Sequence, residues 1–294
     1  MESSSIQRVT DVTVLTPSLG YGRFIEDTIL SVLEQEGLSI QHVIHDGGST
    51  DETVAVLRRY DDAIEWRSEP DRGQSDALNK ALEKAHGRWI AWLNADEFYL
   101  PGALAELVHR GDATSADVVY GDNVFVDERG RILRLLPQHP FNALILRLYG
   151  CYISSSSTIF RRSSLPVEPW DISVKMMMDW DLYLQLASLN ATFEKVDYPV
   201  GAFRRHQNQV TAQREEYRDE YVRLFARHGI SPSSRRLGTS MHRAYKLATG
   251  AYLRQLRARR FRGHELFWPG NRVGRATFEA LLRSCYRRRD TSST

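Results

Sequence analysis

The stretch WIAWLNADEFYLP, residues 89–101, determines how the first half of this 294-residue chain is interpreted. Its first five residues are apolar, which is typical of a buried strand. The polar run Asn94-Ala95-Asp96-Glu97 follows directly, and Pro101 stands where the first turn of a helix accepts proline. The segment therefore predicts a strand, a polar strand end and a helix, in that order.

Three strand-like runs precede this stretch, and apolar residues at helical spacing separate them. The predicted strands are 12–16, 41–45 and 64–68, and the predicted helices are 24–34, about 51–60 and 76–86. Gly87 is expected to end the third helix, because glycine readily adopts the left-handed conformation found after a helix. The alternation predicts a mostly parallel sheet with helices on both faces.

Polar or turn-forming residues follow each of the four strands. Sheets of this kind bind ligands at the carboxyl ends of their strands, so we expect these residues to meet at one edge. They are Thr16-Pro17, Asp46-Gly47-Gly48, Glu69-Pro70-Asp71 and Asn94-Ala95-Asp96. Acids at a strand end can hold a divalent cation, although such acids also commonly cap the next helix.

The second half of the chain has a different pattern. A hairpin is predicted from strands at 118–125 and 132–136 around the turn Asp127-Glu128-Arg129-Gly130. Further elements are an extended segment at 154–160, a helix at 179–189 and a strand at 193–203. After about residue 215 the chain is predicted to be helical and basic.

The formal net charge of +2 conceals a strong asymmetry along the chain. Residues 216–294 hold 18 Lys and Arg against 6 Asp and Glu, which is +12. Subtraction from the totals of 39 and 37 leaves 21 against 31, or −10, for residues 1–215. Such asymmetry indicates a polyanionic or membrane-surface partner for the basic part.

Composition and motifs exclude several classes of protein. Ordinary composition argues against disorder, and two cysteines, Cys151 and Cys285, are too few for a disulfide framework. We expect a protein of a reducing compartment, without a signal peptide or a spanning helix. The run DGGSTD at 46–51 is neither a Walker loop nor the GxGxxG dinucleotide fingerprint.

Several blocks, in order over about residues 10–212, resemble family 2 glycosyltransferases of the GT-A fold. They are VTVLTPSLG, HVIHDGGSTDET, SEPDRGQSDALNKALEKAHGRWIAWLNADEFYLPGAL, VVYGDNVFVDERG, SSTIFRRS, VKMMMDWDLYLQLA and FRRHQNQVT. The resemblance implies an α/β fold with a mixed, Rossmann-like sheet flanked by helices. It also implies an inverting, metal-dependent transferase that moves a sugar from a UDP- or dTDP-linked donor to an acceptor hydroxyl. Residues 1–215 would be the GT-A catalytic domain, and 216–294 a basic helical extension.

The resemblance assigns the donor site residue by residue. Thr16 and Pro17 would line the nucleotide pocket, and Asp46 would contact the nucleobase. The other implied donor-site residues are Asp71, Gly73, Gln74, Asn79, Asn94, Ala95 and Asp96. Asn94-Ala95-Asp96 occupies the place of the family's Asp-x-Asp motif, with an amide in the first position. Asp96 and His206 are the implied ligands of Mg²⁺ or Mn²⁺.

Asp179, within Met178-Asp179-Trp180-Asp181, is the implied general base. A carboxylate within hydrogen-bond reach can take the proton of an acceptor hydroxyl. Asp181 lies about 200° further around the helix, so we expect a structural role, as a cap or a partner of Arg161 or Arg162. Candidate contacts to the acceptor or to phosphate are Trp180, Arg204 and Arg205.

The basic extension permits two interpretations. Apolar residues at helical spacing alternate with arginines over 237–256. Such a helix can rest on an anionic membrane, in which case the acceptor is a lipid-linked glycan or a glycolipid. Alternatively, its apolar stripe packs on the catalytic domain and its arginines face water. The location expected is cytoplasmic, with peripheral attachment to the inner face of the membrane under the first interpretation.

Two other functions remain open from sequence alone. Asn94 leaves open a catalytically weak homologue that only binds nucleotide. A nucleic-acid-binding protein acting through the basic tail would bind in a strongly salt-dependent way and would not need Asp96 or Asp179. The transferase interpretation expects a nucleotide sugar, a glycan acceptor and no nucleic acid.

Overall fold

A computed structural model describes residues 10–207, 209, 217–266 and 274–286. Its strands form one mixed sheet. They are β1 Val12–Ser18, β2 Ile40–Asp46, β3 Glu65–Ser68, β4 Trp89–Trp92, β5 Phe98–Tyr99, β6 Val118–Val126, β7 Ile132–Leu136, β8 Thr158–Arg161 and β9 Phe193–Arg204. The helices are α1 Ile25–Leu33, α2 Thr53–Arg58, α3 Gln74–Glu83, α4 Ala103–Thr114, α5 Ala143–Tyr149, α6 Met178–Ser188, α7 Arg218–Arg227, α8 Arg235–Ala248, α9 Ala251–Ala258 and α10 Arg275–Cys285.

The strands follow the order β3-β2-β1-β4-β8-β6-β9-β5, with β7 beside β6. The first four in this order are parallel to one another. β8 runs antiparallel to both of its neighbours, β6 and β9 are parallel, and β5 is antiparallel to β9. The prediction of a mostly parallel sheet therefore holds for the first half of the chain, and the implied mixed sheet describes the whole.

Successive side chains of a strand point to opposite sides of the sheet, and in the central strands both sets are buried. Val14 of β1 packs into the cluster that contains α4, whereas its neighbour Leu15 packs into the cluster that contains α3 and α6. This double burial explains the continuous apolar runs in the sequence.

Two local predictions were wrong. α3 ends at Glu83 rather than at Gly87, and a Cβ at Gly87 would lie 2.3 Å from the Thr13 backbone nitrogen, so glycine is needed there for close approach to β1. The extended segment predicted at 154–160 begins with a 3₁₀ turn, Ser155–Ser157, before β8.

The helices after residue 217 complete cores that begin in the first half of the chain. Leu224 and Phe225 of α7 join the cluster around α6, and Phe278 and Leu281 of α10 join the cluster on β5, β6 and β7. α8 packs closely on α5, since a Cβ at Gly238 would lie 2.3 Å from the Leu148 carbonyl carbon. These helices are therefore integral to the fold as described.

The fully buried carboxylate of Asp122 in β6 joins the sheet to the basic extension. Tyr286 donates its hydroxyl to Oδ2 at 2.9 Å, and Nε of Arg254 lies 3.6 Å from the same oxygen. Lys195 of β9 lies 3.2 Å from Oδ1. Two cations and a hydroxyl thus offset one buried charge.

Within the part of the chain that the structure describes, none of the helices is both long enough and apolar enough to cross a membrane.

Candidate active site

A cavity of about 390 Å³ opens beyond the ends of β1, β3 and β4, and the start of α6 closes its opposite side. It lies at the sheet edge where the polar strand ends were predicted to meet. The predicted residues in its wall are Pro17, Asp71, Gly73, Gln74, Asn94, Ala95, Asp96 and Asp179.

Asp71 is positioned by the loop that precedes α3. The Gly73 amide donates to Oδ1 of Asp71 at 2.8 Å, and Gly73 has a φ of +110°, which favours glycine. A Cβ at Gly47 would lie 2.8 Å from Oδ2 of Asp71. Gly47 therefore leaves room for this carboxylate beside the cavity.

Three hydrogen bonds fix the Asn94 amide. Its Oδ1 accepts from Gln74 Nε2 at 2.6 Å and from Trp92 Nε1 at 2.8 Å, and its Nδ2 donates to Glu97 Oε2 at 3.2 Å. A carboxylate at position 94 would face the Glu97 carboxylate without a donor between them. Asn94, the residue that departs from the family motif, thus donates the hydrogen bond that the Glu97 carboxyl group accepts.

Asp96 and His206 meet at the edge of the cavity. Oδ2 of Asp96 lies 2.8 Å from Nε2 of His206, and Gln209 donates to the same oxygen at 3.2 Å. Both side chains of the pair are at most 7% exposed, and only Asp96 reaches the cavity wall. The structure therefore brings the two predicted metal ligands into contact.

The pair has the spacing of two ligands of one small cation. Ligands at right angles on an ion with bonds of about 2.1 Å stand about 3 Å apart. Among the described residues, no group of three or more His, Cys, Asp or Glu side chains could hold a metal. The other positions around an ion would therefore fall to water and to ligand oxygens, which is usual for Mg²⁺ at phosphates.

Negative charge is concentrated beneath this edge. Burial, and then the Asp96 carboxylate, raise the pKa of Glu97 well above its ordinary value. Burial and the carboxylates of Asp96 and Glu97 also raise the pKa of Tyr21. A cation at this edge would relieve the repulsion between the two carboxylates.

Asp179 forms the opposite wall from the first turn of α6. The Trp180 amide donates to Oδ1 at 2.7 Å, and the Cys151 thiol approaches Oδ2 at 3.5 Å. Burial raises the pKa of Asp179 to about 6. A carboxylate with this pKa is ionised at neutral pH yet basic enough to accept a proton, which suits a general base.

Asp181 turns away from the cavity, as its helical position predicted. Its carboxylate lies 2.6 Å from Nε2 of His228 and 3.1 Å from Nη1 of Arg227, both at the end of α7. The expected pairing with Arg161 or Arg162 was wrong, because Arg161 instead donates to the backbone carbonyls of Ala116 and Gly111.

Glu220 of α7 organises the loop that leads to Asp179. Its buried carboxylate accepts hydrogen bonds of 2.8 to 2.9 Å from the backbone amides of Lys175, Met176 and Met177. Lys175 and Met176 line the cavity. A helix that lies in the sequence beyond the predicted catalytic domain therefore shapes the cavity wall.

Three predicted donor-site residues lie outside the cavity wall. Thr16 is fully buried and its hydroxyl lies 2.9 Å from Nε2 of His42. Asn79 is turned toward the Trp170 carbonyl, to which it donates at 2.7 Å. The Asp46 carboxylate is fully buried and accepts from Ser49 and Ser68. We therefore revise these roles from ligand contact to support of the strand ends.

The three candidate acceptor or phosphate contacts also lie outside this wall. Arg204 is buried, pairs with Asp27 at 2.6 Å and donates to the Asp96 carbonyl at 3.1 Å, so it braces the Asp96 backbone. The Arg205 guanidinium stacks over Phe125. The Trp180 indole is buried and donates to the Leu146 carbonyl.

Sequence reasoning missed more than half of the residues in the cavity wall. The missed residues are Ser18, Leu19, Tyr21, Ala77, Trp92, Glu97, Ser154, Ser155, Lys175, Met176, Met178, Phe203 and Gln209. Glu97 and the serines stood in polar runs that the sequence displays. Lys175 and Met176 carried no local signal, because only the packing of α7 places them there.

Comparison with known proteins identifies a family that this chain matches. Glycosyl transferase family 2 matches residues 13–166, which is more than half of the chain. The chain is 31% identical over 163 residues to the succinoglycan biosynthesis protein ExoO of Rhizobium meliloti (strain 1021). That alignment covers 55% of this chain and 47% of ExoO, so the chain spans about half the length of this relative.

Two solved structures share the fold. TarS 1-349 of S. aureus in complex with UDP-GlcNAc superposes with a TM-score of 0.57 at 18% identity, over 68% of this chain and 60% of that one. The mannosyltransferase PcManGT from Pyrobaculum calidifontis, in complex with GDP-Man and Mn²⁺, gives 0.55 at 17% identity, over 93% and 85%. These likenesses confirm the implied α/β fold with its mixed sheet.

Proposed function

Because the chain belongs to glycosyl transferase family 2 and is a glycosyltransferase, we propose that it moves a sugar from a nucleotide-linked donor to an acceptor hydroxyl, with inversion at the anomeric carbon. The observation that carries this proposal is the cavity in which Asp96 and Asp179 stand in opposite walls. One wall offers an anchor for a diphosphate, and the other offers a base for an acceptor hydroxyl.

The transfer is a single displacement. Oδ2 of Asp179 takes the proton of the acceptor hydroxyl while that oxygen bonds to the anomeric carbon. The bond from this carbon to the diphosphate oxygen breaks, and its electron pair leaves with the nucleoside diphosphate. Burial raises the pKa of the Cys151 thiol well above its usual value, so the thiol stays protonated and does not act as the nucleophile.

Asp96 and His206 would hold the Mg²⁺ or Mn²⁺ ion, whose chemistry is to neutralise charge on the departing diphosphate. The spacing of the pair supports this assignment. PcManGT, which shares the fold, contains Mn²⁺ together with GDP-Man. Gln209 steadies the same carboxylate oxygen, and Arg204 holds the Asp96 backbone.

The donor would occupy the cavity between the β1 and β4 strand ends. Pro17, Asp71 and Gln74 would surround the nucleotide, with Asn94 and Asp96 at the diphosphate. The proposed donor is a uridine one; of the two structures that share the fold, TarS is in complex with UDP-GlcNAc and PcManGT with GDP-Man. dTDP remains the second candidate nucleotide.

The acceptor is proposed to be a lipid-linked glycan or another glycan precursor at an anionic membrane. Leu237 and Leu247 of α8 and Leu253 of α9 are each 58% or more exposed. The buried face of α8 instead carries Gly238, His242 and Lys246. The leucines of the apolar stripe are therefore exposed, whereas Met241 of the same stripe packs on the cluster around α6.

Exposed arginines surround these leucines, which gives the surface the composition of a membrane-binding amphipathic helix. They are Arg236, Arg243, Arg257, Arg259 and Arg260. ExoO is named for the synthesis of a glycan, succinoglycan, which supports a glycan product. A nucleic acid would use the arginines alone and would not account for the exposed leucines.

Thermal melting with UDP-, dTDP- and GDP-linked sugars, with and without Mn²⁺, tests the function. We expect one nucleotide to raise the melting temperature in the presence of Mn²⁺, and the same sugar nucleotide to be consumed when an acceptor is added. If a sugar nucleotide stabilised the protein but was not consumed, the protein would be the catalytically weak homologue. A protein that none of the donors stabilises would overturn the proposal.

A further inference from the structure

A second cavity, of about 310 Å³, lies on the other side of Asp179. Asp179 and Met176 stand in the walls of both cavities. A group bound in the second cavity can therefore reach the proposed base without entering the space of the donor.

The wall of this cavity is aromatic. It includes Tyr149 of α5, Trp180 of α6 and Tyr221 of α7. The Tyr149 ring is stacked on His242 at 3.9 Å, which fixes its orientation. Aromatic faces of this kind pack against the C–H faces of a sugar ring.

One cation, Arg235, stands at the same cavity. Its guanidinium lies 5.5 Å from the Tyr221 ring and 6.0 Å from the Phe225 ring. Among the described residues, no carboxylate lies within ion-pair distance of Arg235. Gly150 lines the cavity beside Arg235, and its φ of +125° is a backbone conformation that favours glycine.

The position of Arg235 in its helix also favours an anion. It is the first residue of α8, where the partial positive charge of the helix N-terminus opposes an arginine. A bound anion would pair with the Arg235 guanidinium, whereas the Arg235 backbone amide already donates to the Pro232 carbonyl. The lining therefore combines a sugar platform, a cation and a base.

We propose that the second cavity binds the acceptor, and that this acceptor is a sugar bearing a negatively charged group, phosphate or carboxylate, that pairs with Arg235. The sugar packs on Tyr149 and Tyr221, and its reacting hydroxyl meets Asp179. The assignment rests on the proposed transferase function. It makes α7 and α8, outside the family's matched residues, the elements that select the acceptor.

Ligand-observed NMR titrations with three probes test this assignment. The probes are a hexose 1-phosphate, the methyl glycoside of a hexuronic acid and a neutral methyl hexoside. We expect an anionic probe to saturate at a roughly tenfold lower concentration than the neutral one, and Arg235→Gln to remove that advantage. Preference for the phosphate or for the uronate identifies which anion the acceptor carries.

Arg236→Gln is the matched control, since Arg236 is exposed on the same turn of α8 but does not line the cavity. It should keep the preference, and Arg235→Lys should restore part of it. Equal binding of neutral and anionic probes, or equal losses in the two glutamine variants, would overturn the assignment. UDP binding, measured in parallel, should be unchanged in every variant. If the unsubstituted protein did not bind UDP, that result would count against the transferase function instead.

Discussion

Nε2 of His206 lies 2.8 Å from Oδ2 of Asp96, although 110 positions separate the two residues in the chain. Asp96 lies between β4 and β5, two residues before Phe98, and His206 lies two residues beyond the end of β9. β5 pairs antiparallel with β9, with Phe98 opposite Ala202, and this pairing brings the segment before β5 and the segment after β9 together.

The first prediction concerns this pair. Asp96→Ala should weaken UDP binding about tenfold or more in Mn²⁺, and His206→Ala should do so by a smaller factor, because each variant removes one proposed ligand. In a chelator, all variants should bind UDP equally weakly. Calorimetric titration measures both conditions. His86→Ala, at an exposed histidine, is the control. Affinity that a chelator leaves unchanged in the unsubstituted protein would refute the metal site.

The second prediction concerns Asp179. Asp179→Asn should lower the transfer rate at least 100-fold while donor binding stays within about twofold, since the amide cannot accept the proton. In the unsubstituted protein, burial raises the pKa of Asp179 to about 6. The residue is inactive when protonated, so kcat should rise with pH through about 6 and level off above it. A rate independent of pH between 5 and 8 would contradict the base assignment.

The third prediction concerns Glu220. Glu220→Gln replaces one of the two oxygens that hold the 175–177 backbone, so we expect kcat to fall about tenfold with little change in the KM for donor. Stability should fall by about 1–3 kcal/mol. Asp219→Asn, at the exposed neighbouring position, should change neither. If kcat is unchanged while stability falls, Glu220 has a purely structural role.

The fourth prediction concerns Asp122. Asp122→Asn removes the buried charge between Lys195 and Arg254, so stability to chemical denaturation should fall by up to about 4 kcal/mol. Both cations also pair with the exposed Asp197, which limits the loss. Asp197→Asn should cost at most about 1 kcal/mol, as exposed ion pairs do. Equal losses in the two variants would show that the buried carboxylate has no special role.

The fifth prediction concerns the outward leucines of the extension. Leu247→Glu and Leu253→Glu should reduce co-sedimentation with vesicles containing anionic lipid, and the remaining binding should weaken with salt. Leu189→Glu, at an exposed leucine outside the extension, should have no effect. Point substitutions are preferable to truncation, because α7, α8 and α10 complete the cores of the sheet. Unchanged sedimentation of both variants would refute the membrane surface.

Much of the fold follows from local patterns. The first four strands and the helices between them fall within a few residues of the predicted positions, because apolar periodicity reports burial directly. Gly87 misled the prediction, since glycine serves both helix ends and close backbone approach, and only the position of β1 distinguishes the two.

The structure places the predicted residues in one cavity wall where they follow strands in sequence, as Asp71, Asn94 and Asp96 do. Other predicted residues lie outside the cavity wall, because a side chain at a strand end can turn either toward the cavity or into the protein. Thr16 and Asp46 turn inward to His42 and to the serines of neighbouring loops. The alternation of polar and apolar residues along a strand is visible in the sequence. The hydrogen-bond partner of a polar side chain is not.

The sequence by itself determined the alternating α/β architecture, the polar strand ends, the family resemblance and the separation of an acidic body from a basic extension. Only the tertiary structure decided what that extension does in the fold. Glu220, Arg235 and Tyr286 reach the loop before α6, the second cavity and Asp122, respectively. The hydrogen bonds of Glu220 and Tyr286 join residues 43 or more positions apart, and long-range packing, unlike periodicity, leaves no local trace in a chain.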